Sequence, residues 1–332
     1  MKGRVLLTGG AGFIGSHVAD RLVDEGHEVI VLDNFMSGFE SNLAEAMGKG
    51  TVRVVEGDIL DRGLLSSLVP DVSGIYHLAA LPEVRMGQEN PADVWRVNVE
   101  GTVVLLEAMH GAGKSYDLIF TSTSTVYGDS LVLPTPEDYG PLKPISFYGA
   151  SKIAAESIIS AYSYSYGFRS AAVRLANIVG ARSRHGVLHD FVKKLRSNPG
   201  ELEVLGDGRQ TKSYLHVSDC VSALAEISKH LDSPFEIYNV GSDDSIDVAT
   251  IARIVIQEME LSSSIRFTGG IGGGRGWAGD VKTMLLSTRK LKGLGWVPKL
   301  GSEASTRLAA RELVKGPTVS NNRARSVTRD HN

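Results

Sequence analysis

The chain of 332 residues holds one cysteine, Cys220, which excludes an intrachain disulfide and any metal centre built from several thiolates. A lone cysteine of this kind reads as a small, buried apolar residue. No apolar run approaches the roughly 18 residues that a bilayer-crossing helix requires, so no membrane segment is expected. Neither sign of charge dominates: 35 Lys and Arg stand against 38 Asp and Glu, giving a net charge of −3. That balance gives no electrostatic reason to expect nucleic acid or an anionic membrane as partner. Nor is there a signal-peptide pattern, because Met1-Lys2-Gly3-Arg4 leads straight into a strand-like run at Val5. A cytoplasmic protein with no metal site is expected, and no internal repeat is visible. What remains is a composition ordinary for a globular chain, long enough for one large domain or two modest ones.

The first half alternates short β-like runs with helical stretches. Val5-Leu7, Glu28-Asp33, Thr51-Val55, Ile75-Leu78, Asp117-Ser122 and Ala171-Leu175 read as buried parallel strands. Between the first two, Ile14, Val18 and Leu22 recur at i, i+4 and i+8, an apolar stripe suited to packing on a sheet. This rhythm predicts an α/β fold, a doubly wound parallel sheet of Rossmann type, with ligand at the carboxyl ends of the strands. After about residue 180 the elements shorten, and Phe235-Val240 is predicted to rejoin the sheet. The expected organisation is a dinucleotide-binding domain over 1–180 with about 217–242. A smaller, interleaved α/β substrate domain is expected over 181–216 and 243–315, and a mobile tail over 316–332.

Thr8-Gly9-Gly10-Ala11-Gly12-Phe13-Ile14-Gly15 follows the first strand and opens a helix, the setting of a phosphate-binding turn. In this reading Gly9 permits the turn, Gly12 lets the backbone approach a diphosphate, and Gly15 packs helix on strand. The helix start offers free N–H groups and the positive end of its dipole. Asp33 lies 18 residues past Gly15 at the end of the second strand, where a carboxylate accepts from both ribose hydroxyls. The following Asn34-Phe35-Met36-Ser37-Gly38 offers no arginine for a 2′-phosphate, so NAD is expected rather than NADP. Further along, Tyr148 and Lys152 stand at i and i+4 on one helix face. A tyrosine is a poor base near its ordinary pKa of about 10. The neighbouring ammonium and an oxidised nicotinamide ring are expected to lower that value, giving a base that takes an alcohol proton while hydride leaves.

The glycine turn and the Tyr-x-x-x-Lys pair together resemble the extended short-chain dehydrogenase/reductase superfamily, and further motifs extend the resemblance over nearly the whole chain. By that resemblance the cofactor contacts are Gly9, Gly12, Phe13, Ile14, Gly15, Asp33, Asn34, Ser37 and Gly38. Asp58 and Ile59 would join them at the adenine, together with Leu78, Ala79 and Ala80 after the fourth strand, Asn98 on a helix, and Ser122, Tyr148 and Lys152. His77, tempting as an acid or base, takes a position that is usually structural in such proteins. The catalytic hydroxyl lies four residues before the tyrosine of Val126-Tyr127-Gly128, which selects Thr123, flanked by Ser122 and Ser124. Dehydratases of the superfamily carry an Asp-Glu pair in this segment, and UDP-glucuronate decarboxylases a Glu immediately before Val-Tyr-Gly. Here that position is Thr125.

Within the superfamily, Gly186-Val187-Leu188-His189-Asp190-Phe191 and Arg275-Gly276-Trp277-Ala278-Gly279-Asp280 resemble archaeal and bacterial members of the UDP-glucose 4-epimerase group. The resemblance implies NAD-dependent interconversion of UDP-galactose and UDP-glucose by oxidation at C4, rotation of the 4-ketose and re-reduction. Val84, Thr123, Ser124, Tyr148, Asn177, Val187, Leu188, Lys212, Tyr214, Arg275 and Asp280 are the implied substrate contacts. Three departures stand out. Lys212 replaces an arginine two residues before Tyr214, Trp277 stands where an arginine precedes Asp280, and Pro82 replaces a lysine that contacts nicotinamide ribose. Met284 falls where the room around the sugar C2 substituent is set. A homodimer built through a four-helix bundle is also implied. The readings left open are an N-acetylhexosamine or glucuronate 4-epimerase, a deoxysugar-forming reductase, and a non-catalytic NAD-binding regulator.

Overall fold

The structure, a computed structural model, describes residues 3–82 and 89–316. Its centre is a seven-stranded sheet of β1 (Arg4–Thr8), β2 (Glu28–Asp33), β3 (Val52–Glu56), β4 (Gly74–His77), β5 (Asp117–Thr123), β6 (Arg169–Leu175) and β11 (Phe235–Val240). The strand order is β11-β6-β5-β4-β1-β2-β3, and every pairing is parallel. Each of the six early strands falls within about two residues of its sequence reading, and Phe235–Val240 rejoins the sheet as its outer strand.

Side-chain alternation along the strands sorts the core into two faces. Val5, Leu7, Val29, Val31, Ile119 and Val173 face one way, where α1 (Phe13–Asp24) presents Val18 and Leu22. Leu6, Ile30, Leu32, Ile75, Leu118 and Phe120 face the other. There α2 (Arg62–Leu68), α3 (Gly101–Gly111) and α4 (Phe147–Tyr166) supply Leu65, Leu105, Leu106, Ala155 and Ile159. Strands buried on both faces explain why the sequence reads as near-continuous apolar runs there.

The chain leaves this sheet after β6 and builds shorter pieces. These are β7 (Asn177–Val179), α5 (Val187–Ser197), β8 (Glu201–Val204), β9 (Thr211–Lys212) and β10 (Tyr214–His216). It returns through α6 (Val217–Lys229), which packs Val221 and Leu224 beside α1 and buries Cys220. After β11 it leaves again for β12 (Ile246–Asp247), α7 (Val248–Glu258), β13 (Ser264–Phe267), β14 (Thr283–Met284) and α8 (Ser302–Lys315). Phe191 and Leu195 of α5, Ile251 and Val255 of α7 and Ala309 of α8 share a separate apolar cluster. Among the described residues no helix is long and apolar enough to cross a membrane. The expected tail from 317 onward lies outside the described residues.

The strand order reverses between β1 and β4, since β2 and β3 lie to one side of β1 and β4, β5 and β6 to the other. A crevice opens at such a switch point beyond the carboxyl ends of the strands. Every motif singled out in the first half of the chain lies along that edge.

Candidate active site

The glycine turn rises from β1 with three distinct steric demands. Gly9 has φ +70°, and a Cβ there would stand 2.6 Å from the Ala79 nitrogen, so the turn presses directly on the end of β4. At Gly15 a Cβ would lie 2.2 Å from the Gly9 oxygen, which forces helix and loop into contact. Gly12 differs: its Cβ would meet only the Gly9 oxygen, at 3.2 Å. No side chain caps the start of α1 and no acidic residue sits in its first turn, so its leading N–H groups face the crevice without a carboxylate rival. Phe13 packs edge-on against His17, and Ile14 leans on the core.

Asp33 ends β2, buried, with Oδ2 accepting from Ala11 N at 2.9 Å and Oδ1 from Phe35 N at 2.9 Å. Burial pushes its carboxyl above the usual range, and the two backbone donors oppose that. Each oxygen keeps a lone pair for a further donor. Gly38 closes against it, since a Cβ there would reach Ala11 at 2.9 Å and Asp33 Oδ1 at 3.0 Å, and Ser37 beside it is exposed. Asn34 donates to Asp58 Oδ2 at 3.0 Å, joining the loops after β2 and β3, while Ile59 is buried beneath Gly101.

At the end of β4, Leu78, Ala79 and Ala80 line the same edge. His77 is buried and both ring nitrogens have partners, Nδ1 with Thr8 Oγ1 at 2.8 Å and Nε2 with Thr102 Oγ1 at 2.9 Å. Because the Thr102 hydroxyl donates to Asn98 O, it must accept from His77, which assigns the proton to Nε2. Burial, with the Lys152 charge adding to it, holds the ring pKa down to about 3. His77 is a neutral strut. Asn98 sits in a π-helical turn, Arg96–Glu100, ahead of α3. Its amide accepts from Leu81 N at 2.8 Å and donates to Ser151 Oγ at 3.0 Å, tying the chain after β4 to α4.

Ser146 caps α4 by accepting from Gly149 N at 3.1 Å, which places Tyr148 in the first turn. Gly149 lets this turn press on the segment after β5, as a Cβ would lie 2.8 Å from Thr125 O. Tyr148 consequently comes beside Thr123, whose hydroxyl favours the charged phenol and accepts from Thr125 N at 3.2 Å. Ser124 follows, buried, at the start of a single 3-10 turn. Lys152, one turn on, is 1% exposed and donates to Thr121 O at 2.9 Å, with its ammonium 4.5 Å from the Phe120 ring centre and 5.9 Å from that of Tyr148.

In the protein alone, burial pushes the Tyr148 pKa up to about 12, against which the Thr123 hydroxyl works. Burial likewise pushes Lys152 down to about 7, opposed by the Glu156 carboxylate. Sequence spacing showed the pair but not the desolvation of both members.

Several residues escaped the sequence reading. Glu156, one further turn along α4, accepts from Arg174 Nε at 3.1 Å and Nη2 at 2.7 Å, and from the Ser122 hydroxyl. The Ser122 side chain is therefore engaged within the protein, and any cofactor contact through Ser122 falls to its backbone. Arg174 Nη1 donates to the Tyr127 hydroxyl at 2.9 Å, and that hydroxyl donates to Asn239 Oδ1 at 2.8 Å. The Tyr148, Lys152, Glu156 spacing could have flagged the glutamate, but its partners on β5 and β6 are remote in sequence.

On the far side of the crevice, Asn177 donates to Ser213 O at 3.1 Å, and Val187 and Leu188 open α5, Leu188 within the third apolar cluster. Lys212 Nζ and Asp280 Oδ1 pair at 2.6 Å, and Asp280 also accepts from Gly276 N at 3.1 Å. Tyr214 is buried nearby, its phenol pKa raised by burial and then by Asp280. Arg275 forks onto Asp129 at 3.1 and 2.8 Å, bridging the segment after β5 to this side. Met284 packs among Val126, Tyr127, Ala176 and Leu286. Val84 lies outside the described residues.

Residues 5–241 match the NAD dependent epimerase/dehydratase family. The chain belongs to that family. It is 33% identical over 305 residues to a putative UDP-glucose 4-epimerase of Methanocaldococcus jannaschii, covering 89% of this chain and 93% of that protein. UDP-glucuronic acid decarboxylase 1 of Arabidopsis thaliana is 34% identical over 274 residues, 80% of this chain and 60% of the longer plant protein. Among solved structures, a UDP-galactose 4-epimerase superposes with a TM-score of 0.84 at 40% identity, over 94% of this chain and 99% of that one.

Family membership makes NAD the cofactor, and the residues present fit it. The room left at Gly12, the helix start free of a side-chain cap, and the buried Asp33 with acceptor capacity suit a diphosphate followed by a ribose diol. A nucleotide-sugar epimerase or dehydratase must also move a proton at the sugar, and Thr123, Tyr148 and Lys152 converge at this edge, one strand beyond β4.

Proposed function

We propose that this family member interconverts UDP-galactose and UDP-glucose. The observation that carries the reading is the Thr123 hydroxyl set beside the Tyr148 phenol and buried Lys152, where the carboxylates nearby among the described residues are already engaged. Glu156 is forked by Arg174, Glu137 accepts from Asn239 N at 2.9 Å, and Asp129 is forked by Arg275. Elimination of water or loss of a carboxylate calls for a free acid or base near the sugar, whereas oxidation and return at C4 calls only for a hydroxyl–phenol relay. Thr125, whose hydroxyl lies 3.1 Å from that of Thr123, occupies the position of the decarboxylase glutamate.

In this mechanism Thr123 and Tyr148 hold the sugar O4, and Tyr148 takes its proton. NAD, held by the Gly12 turn, Asp33 and Lys152, would supply hydride acceptor and donor chemistry at C4 and a positive ring that favours the phenolate. Lys152 stabilises the phenolate and binds the nicotinamide ribose. Asn177, Lys212, Tyr214, Arg275 and Asp280 retain the UDP portion while the 4-ketose turns over. Tyr148 then gives the proton back to O4 on the inverted carbon. Residues 181–216 and 243–315 act as the substrate domain in this reading.

A second copy is expected against the groove of about 520 Å³ that Trp95, Val99, Val103 and Ile158 line between the α3 segment and α4. The alternative within the family is another nucleotide sugar, which the coverage of the Arabidopsis decarboxylase match keeps in view. Incubation with UDP-galactose, UDP-N-acetylgalactosamine and UDP-glucuronate in parallel separates them. The account expects epimerisation of the first. Carbon dioxide release from the third, with the first untouched, would overturn it.

A further inference from the structure

Glu156 has no part in the relay described above, yet it lies at its centre. Its side chain is 5% exposed and that of Arg174 is 3% exposed, so an ion pair is fully buried behind the reacting groups. Such a pair is often no more stabilising than apolar residues of the same volume. Its connections reveal a more specific use.

The Ser122 hydroxyl donates to Glu156, and Ser122 stands between Thr121, whose carbonyl accepts from Lys152, and Thr123, whose hydroxyl meets Tyr148. Glu156 itself stands one helical turn beyond Lys152 and two beyond Tyr148. One carboxylate thus fastens the end of β5 to α4 on both sides of the relay. Arg174 holds that carboxylate in a two-pronged grip and is itself anchored by the Tyr127 hydroxyl and Glu137 O. We propose that Glu156 is a positioning residue, which sets the spacing of Thr123, Tyr148 and Lys152 through Ser122 and keeps a negative charge behind the Lys152 ammonium. The inference rests on the roles given to Tyr148 and Lys152 under Proposed function.

The titratable groups around Lys152 are neutral His77 from β4, and Tyr148 and Glu156 from its own helix. Those around Glu156 are Lys152, Arg174 from β6, Tyr127, and Glu137, whose carboxylate serves Asn239 N. Removing the Glu156 charge leaves Arg174 unbalanced and makes both protonated Lys152 and protonated Tyr148 less favourable. Both limbs of the pH–rate profile should then move acidward, by about one pH unit.

The test is the pH–rate profile of Glu156→Gln, with Ser122→Ala and Tyr148→Phe alongside. Glu156→Gln should lower kcat by about tenfold to a hundredfold, leave KM for the UDP-sugar nearly unchanged, and shift both limbs to lower pH. Ser122→Ala keeps the charges and breaks only the tie to β5, so it should lower kcat several-fold without moving the limbs. A Glu156→Gln profile that superposes on the wild type, with or without a lower melting temperature, overturns the proposal. If that variant does not fold, unchanged kcat in Ser122→Ala overturns it instead. Turnover retained by Tyr148→Phe would sink the underlying assignment of the base, a failure distinguishable from both.

Discussion

Tyr148 has the right neighbours and the wrong resting affinity for its proton. With its phenol pKa pushed up to about 12 and the Lys152 ammonium pushed down to about 7, burial opposes charge on both groups. A charge that arrives with the cofactor therefore has the largest effect, because fields act strongly where water is excluded. Replacing Tyr148 with Phe should lower kcat by roughly 10²- to 10⁴-fold while NAD binding, measured by calorimetry, stays intact. His77 gives a stability prediction with the sign fixed by its depressed pKa. Between pH 6.5 and about 3 the unfolded chain binds a proton at His77 that the folded protein refuses, so stability is present above 6.5 and lost as pH falls through that window. The fall in melting temperature from pH 7 to pH 4 should be smaller in His77→Asn than in the wild type. Spacing made Tyr148 and Lys152 legible because i and i+4 share a helix face. It gave no sign of burial, which depends on Phe120 and the β5 backbone.

Among the elements, the turn from β1 into α1 separates a folding requirement from a binding one. Gly15→Ala would drive a Cβ into the Gly9 oxygen, costing about 1–3 kcal/mol of stability by overpacking. Gly12→Ala has extended backbone geometry and a single 3.2 Å contact, so its melting temperature should stay close to the wild type. Its affinity for NAD should fall at least tenfold, because the methyl group would stand where a diphosphate approaches. Equal losses of stability in the two variants would contradict the division of roles. The inner strands of the main sheet were legible because both of their faces are buried and most of their residues are apolar, and the outer strand β3 because Val52, Val54 and Val55 are β-branched. The two- and three-residue strands β7, β9, β10, β12 and β14 were not, since pieces that short carry no periodicity and are fixed by pairings remote in sequence.

Across the whole molecule, long-range pairs join the two sides of the crevice. Arg275 with Asp129 spans 146 positions, and Arg182 bridges Asp20 and Glu45. The sequence showed Arg275 only as an implied substrate contact, because its acidic partner Asp129 follows the Val-Tyr-Gly turn far upstream. The groove beside α4 gives a prediction at this scale: the protein should sediment as a dimer, and Trp95→Glu, at a half-exposed indole, should yield monomers. The central claim is that one hydrogen leaves C4 and returns to the same carbon. Proton NMR of UDP-galactose deuterated at C4, incubated with the pure protein, tests it directly. The account predicts UDP-glucose that carries the deuterium at C4. UDP-glucose with solvent hydrogen at C4, or no UDP-glucose even after NAD is added, would contradict it.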